Sequence, residues 1–145
     1  MIQRLQSIFL LLSGGCLGGS LAVPFADSAA AIPGTLFADG RFTASDSVAL
    51  VVLLGIGAAA AIGAIFLYDN RLLQRNVAWM AAICAVGAIA FGLFTFMQQG
   101  RAMGATAVDE EWGAALPVLA IVFAVLAVRY IDKDERLVRS ADRLR

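Results

Sequence analysis

Residues 47–68 read SVALVVLLGIGAAAAIGAIFLY, twenty-two positions without one Asp, Glu, Lys or Arg. A helix on the surface of a water-soluble domain keeps an apolar stripe and a polar remainder; this stretch is apolar all round, the pattern of a membrane span. At 1.5 Å per residue, about 20 helical residues cross a hydrocarbon core of about 30 Å. Three further uncharged runs flank it, at residues 5–26, 76–100 and 112–128. The fourth is short, but Arg129 follows it directly and can lay its stem along the helix while its guanidinium reaches the headgroups. The spans are therefore placed at about residues 5–26, 47–68, 77–98 and 112–130.

The rest of the chain agrees. Of its 145 residues 61% are apolar and 15% charged, against about 25% charged in soluble domains. Nothing alternates with a period of two over about ten residues, so a closed barrel is excluded and helices remain. The fold class read from the chain is all-α: an integral membrane four-helix bundle, one domain over residues 1–145, with residues 131–145 as a cytoplasmic helical extension. With 11 Lys+Arg balanced by 11 Asp+Glu, a basic nucleic-acid binder is excluded. The first run also resembles a secretory signal, with Arg4 before it, small residues at 28–31 after it and an imperfect lipoprotein box ending at Cys16. Its length exceeds the usual signal core of about 7–15 residues, and a retained first helix is expected.

Cations set the threading. With the N-terminus inside, Arg4, Arg71, Arg75, Arg129, Lys133, Arg136, Arg139, Arg143 and Arg145 lie on the cytoplasmic side and only Arg41 and Arg101 outside. Nine against two places both termini in the cytoplasm. Asp27, Asp39, Asp46 and residues 109–111 make the outer face acidic. Tyr68, Trp79 and Tyr130 fall near the inner boundary and Trp112 near the outer one, where amphipathic rings prefer to sit.

The first outer loop, residues 24–46, holds an uncharged stretch at 28–38, too apolar for a freely solvated loop. Two readings stand: a re-entrant or interfacial lid over a cavity, and, preferred, a loop lying on the outer headgroups. Thr43 to Asp46 and Thr106 to Asp109 both fit the Thr-x-x-acid pattern of a helix start and are expected to open the second and fourth helices.

Material for chemistry is scarce. The chain has no His, which removes the usual proton shuttle and the commonest transition-metal ligand. Cys16 and Cys84, on separate helices, form no metal-binding or redox motif and are expected to remain thiols. No ionisable residue falls inside the four runs, so proton relays and ion-coordinating carboxylates have no source there. No catalytic, cofactor-binding or metal-binding residue is assigned, and no enzyme is expected. Small residues recur at helical spacing: Gly14 with Gly18, Gly15 with Gly19, Gly55 with Ala59 and Gly63, and Ala81 with Ala85, Ala88 and Gly92. Such stripes let helix backbones approach, within the bundle or in a homo-oligomer. The C-terminal segment sets Asp132 against Arg136 and Glu135 against Arg139 at a spacing of four, with Leu137, Ala141 and Leu144 along one edge. Helix is expected through at least Leu137, either as a solvated extension or as a docking helix.

Three cytoplasmic stretches carry a resemblance: MIQRLQSIFLLL at residues 1–12, FLYDNRLLQ at 66–74 and RYIDKDERLVRSADRLR at 129–145. Over its whole length the chain resembles a Bacteroidota family of small four-helix inner-membrane proteins, the domain of unknown function numbered 4293. The resemblance implies a four-helix membrane protein without assigned activity or catalytic residues. Residues and resemblance together suggest a non-catalytic accessory or scaffold bundle in the bacterial inner membrane, with the lipid bilayer and a protein partner as its contacts. Arg4, Arg71, Arg75, Arg136, Leu137, Arg139 and Leu144 are its candidate docking residues. A small lipid-handling protein or apolar-solute transporter, using a cavity beneath residues 28–38, is the alternative.

Overall fold

The computed structural model describes residues 2–29, 31, 33–34, 37–103 and 108–142, with side chains beyond residues 2–4, 100–110 and 139–142. Four helices dominate: α1 Ile2–Gly19, α2 Val48–Ile65, α3 Arg71–Met103 and α4 Ala115–Asp142. Each packs on its neighbours in the order α1, α2, α3, α4, and α4 closes back on α1. Neighbours run antiparallel. Ser13 Oγ of α1 donates to the Ala120 carbonyl of α4 at 2.9 Å, while Phe9, one turn earlier, stacks on Tyr130 further along α4, ring centroids 5.4 Å apart.

Size, more than polarity, decides which side chains face inward. Ala61, Ala64, Ala78, Ala81, Ala85, Ala120 and Ala127 are fully or almost fully buried, whereas Ile56, Ile83, Leu93, Met97 and Val122 point outward. Water would reverse this arrangement; lipid does not, because hydrocarbon solvates large apolar side chains and helices gain by close backbone approach. Three helices are long and apolar enough to cross a membrane, over Val48–Ile65, Arg71–Gln99 and Trp112–Val138. The first apolar helix, Leu5–Gly19, is shorter. The expected span at residues 5–26 therefore ends early. Gly18, Gly19 and Ser20 are poor helix formers, and the chain leaves the helix through turns in which Leu21 N–H donates to Gly18 and Val23 N–H to Gly19, ahead of Pro24. At the other extreme α3 begins at Arg71, before the uncharged run, because Asn70 caps it: the Asn70 Oδ1 accepts the Leu73 N–H at 3.1 Å.

The segments between α1 and α2 and between α3 and α4 meet at one end, here the cap end, and form a three-stranded antiparallel sheet. Strand β1 (Ala26–Ser28) lies between β2 (Arg41–Phe42) and β3 (Val108–Glu110), pairing Asp27 with Arg41 on one side and with Asp109 on the other. Gly40, at φ +81°, makes the turn into β2. Phe37 and Phe42 are buried, and Phe37 meets Phe96 of α3 edge-on. Phe37, near the end of the uncharged stretch, thus packs on the chain's own α3, while residues 29, 31, 33 and 34 are exposed. Of the two expected helix starts, Thr43 makes the expected bond, its N–H donating to Asp46 Oδ2 at 2.6 Å, but it opens a single 3-10 turn, Ala44–Asp46, and Ser47 is the N-cap of α2. Asp109 lies in β3, and α4 instead follows a single 3-10 turn, Trp112–Ala114.

The stripes of small residues sort themselves as well. A Cβ on Gly14 would sit 2.7 Å from Ile62 Cγ1, and one on Gly57 3.0 Å from Leu17 and 3.1 Å from Cys84, so these two glycines carry the closest crossings. Ala81, Ala85 and Ala88 face inward as a stripe. Gly15, Gly18, Gly55 and Gly63 meet nothing and Ala59 is exposed, so only one member of each α1 pair, Gly14 and Gly19, meets another helix, and the Gly55–Ala59–Gly63 stripe does not pack within this chain. Cys16 and Cys84 are free thiols.

Candidate functional site

Opposite the cap, at the terminal end, lie the start of α1, the α2–α3 turn and the end of α4. Arg71 and Arg75, one turn apart at the start of α3, both reach α4: Arg71 Nη2 stands 3.2 Å from Asp134 Oδ2 and Arg75 Nη1 3.4 Å from Asp132 Oδ1. Asp132, expected to face Arg136 along its own helix, is instead part of a bridge between helices. With Ile131 fully buried beside these carboxylates, α4 stays fastened to α3 beyond its apolar part and runs unbroken to Asp142. The surface that supports the charged extension is thus its own neighbour.

Two of the seven docking candidates, Arg71 and Arg75, are therefore engaged inside the molecule. Arg136 and Leu137 are exposed on the extension, next to an exposed Val138 that sequence reading passed over. Arg4 lies in α1 and Arg139 in α4, but their side chains fall outside those described, and Leu144 lies outside the described residues. Just inside this end, Gln74 is fully buried with neither amide atom hydrogen-bonded, and Gln6 is buried with its Oε1 unpaired. Gln6, Ser13 and Ser20 recur every seven residues on the inner face of α1, alternating with the buried Leu10 and Leu17. That heptad of buried polar groups was readable in the sequence, had residues 6–20 been written out at spacings of three and four.

The cap end offers a second feature. Beneath the sheet, between α2, α3 and the first turn of α4, is a recess of about 150 Å³. Its walls are hydrocarbon: Phe25 and Phe42 from the cap, Leu50 and Leu54 from α2, Ala88 and Phe96 from α3. Among the described residues no three His, Cys, Asp or Glu gather to hold a metal ion.

A family model described as a domain of unknown function, DUF4293, matches residues 2–144, and the chain belongs to that family. No curated protein matches it.

Proposed function

We propose that this member of the family is a non-catalytic multi-pass protein of the bacterial inner membrane, with both termini cytoplasmic, that docks a protein partner on the exposed edge of its α4 extension. One observation carries the docking. The extension is a helix continuous with an apolar span, tied to α3 by two ion pairs, and it presents Arg136, Leu137 and Val138 in a row, with Leu137 49% and Val138 44% exposed. A solvated tail has no need of two adjacent exposed apolar side chains on a braced helix; a partner helix or groove does.

Membrane embedding is supported by the three long apolar helices and by the large apolar side chains facing outward. The short α1 is followed by hydrogen-bonded turns over residues 20–23. The nine-to-two division of cations supports the threading, as does Trp112, 81% exposed at the cap end, opposite the exposed Tyr68 and Trp79. Reporter fusions after Arg145 and in the α3–β3 connection should report opposite sides of the membrane; the same side for both overturns the threading. For docking, a photo-crosslinking residue at position 138 should capture one protein in cells, and Leu137→Asp with Val138→Asp should release it while all spans still insert. Retention of that protein by the double variant defeats the docking reading.

A second reading, handling of lipid or of an apolar solute, draws on the recess beneath the cap. Purification in mild detergent separates the two: a stoichiometric protein favours docking, and a retained lipid without a partner favours the second.

A further inference from the structure

We propose that the recess beneath the cap binds a short segment of one lipid acyl chain. The inference deepens the second reading above and rests on membrane embedding, but it concerns occupancy alone and needs no transport.

Every residue lining the recess is apolar. Water requires two to four polar partners and finds none on these side chains, and a sugar, ion or charged headgroup would be stripped of hydration without compensation. Apolar cavities of about this size stay dry and accept small hydrocarbons. The depth of the recess is set by buried side chains, Leu50 and Leu54 on α2, Ala88 on α3 and Phe42 on the cap. Its exposed lining residues are Leu93, at 57%, and Ala114. Phe94 and Met97 of α3 and Val118 and Leu119 of α4, close in sequence to the lining residues, are also exposed. In a bilayer an opening edged by exposed apolar residues of α3 and of the turn before α4 faces hydrocarbon, so the molecule present in excess there is an acyl chain.

The roof selects against anything long and rigid. Phe25 and Phe42 meet with ring centroids 5.5 Å apart, and Phe42 in turn packs on Phe37. A flexible chain can bend a few methylenes into such a space, whereas a fused-ring sterol cannot. The open volume depends on Gly92. A Cβ there would touch only Leu50 Cδ2, at 3.8 Å, so a larger side chain at this position fills the recess without striking backbone.

The test uses the full chain in vesicles of phosphatidylethanolamine and phosphatidylglycerol doped with a phospholipid bearing a diazirine on one acyl chain. After photolysis, labelled peptides are mapped by mass spectrometry. Label is expected on the lipid-facing Ile83, 67% exposed, and on the roof residues Phe25 and Phe42. Gly92→Ile should cut the roof label several-fold and leave Ile83 labelled as before. Leu93→Trp, a change at an exposed position of the mouth, should act in the same direction and serves if Gly92→Ile does not fold. Label on Ile83 with none on the roof, or roof label indifferent to both variants, overturns the site while membrane embedding stands. Absence of label on Ile83 overturns embedding and the site together.

Discussion

The two ends of the molecule are closed in different ways. At the cap end, chain from two separate connections is drawn into a sheet: Phe25 N–H donates to Phe42, Ser28 N–H to Gly40 and Glu111 N–H to Phe25, and Phe37 and Phe42 are buried beneath. At the terminal end one short turn joins α2 to α3, and closure depends on side chains, two Arg–Asp bridges outside and two glutamines inside with amide atoms unpaired. Backbone pairing satisfies nearly every polar group it buries; side-chain closure leaves a remainder. The cap end is therefore the more stable closure and the terminal end the more adjustable, which suits an end proposed to meet a partner.

Three measurements can break or sharpen this contrast. The largest effect belongs to Phe37→Ala, which removes a fully buried ring from the aromatic layer and should cost about 3–5 kcal/mol. Thermal melting in detergent should fall accordingly, and a loss below about 1 kcal/mol would show the cap to be ornamental. Next comes Gln74→Leu. An apolar side chain of similar size replaces an amide with no hydrogen-bonding partner, so stability should rise, by about 1–2 kcal/mol; a fall would show that the amide serves a bond made in the folded protein. The smallest effect is the coupling between Arg75 and Asp132, whose side chains are 34% and 37% exposed. A double-mutant cycle with alanines should give about 0.2–1 kcal/mol, shrinking in high salt; a larger, salt-insensitive value would make the terminal end as rigid as the cap.

The helices were legible because the property that makes them, long absence of charge, is local and visible. Their ends were less so. Hydropathy counts Leu21 to Pro24 as span, but helix geometry fails at Gly18 and Gly19, where propensity and turn formation outweigh apolar character. The sheet left no readable trace: β1 is three residues and β2 two, and β1 finds β3 some eighty positions away. The charged extension was read correctly as helix, but Asp132 was assigned to Arg136 at an inviting spacing of four while its partner Arg75 lies 57 positions distant. Gly55, Ala59 and Gly63 matched a packing stripe, yet the residue at the helix crossing is Gly57, because the face α2 turns inward is set by Leu50, Leu54 and Ala61 together. The recess draws on five separate segments, and no one of them announces it.

The strand order has a consequence for biogenesis. β1 and β2 lie within the α1–α2 connection and can pair with each other as soon as it is made, but β3 is synthesised only after α3. Until then β1 exposes an edge with unpaired amides, a template for any extended chain nearby. Closing that edge also brings Gly113 against the turn after α1, where a Cβ would collide with the Pro24 carbonyl and lie 2.9 Å from that of Val23. The last connection of the chain is thus the latch for the first, and a chain ending before β3 would keep that strand edge open to pairing with another chain.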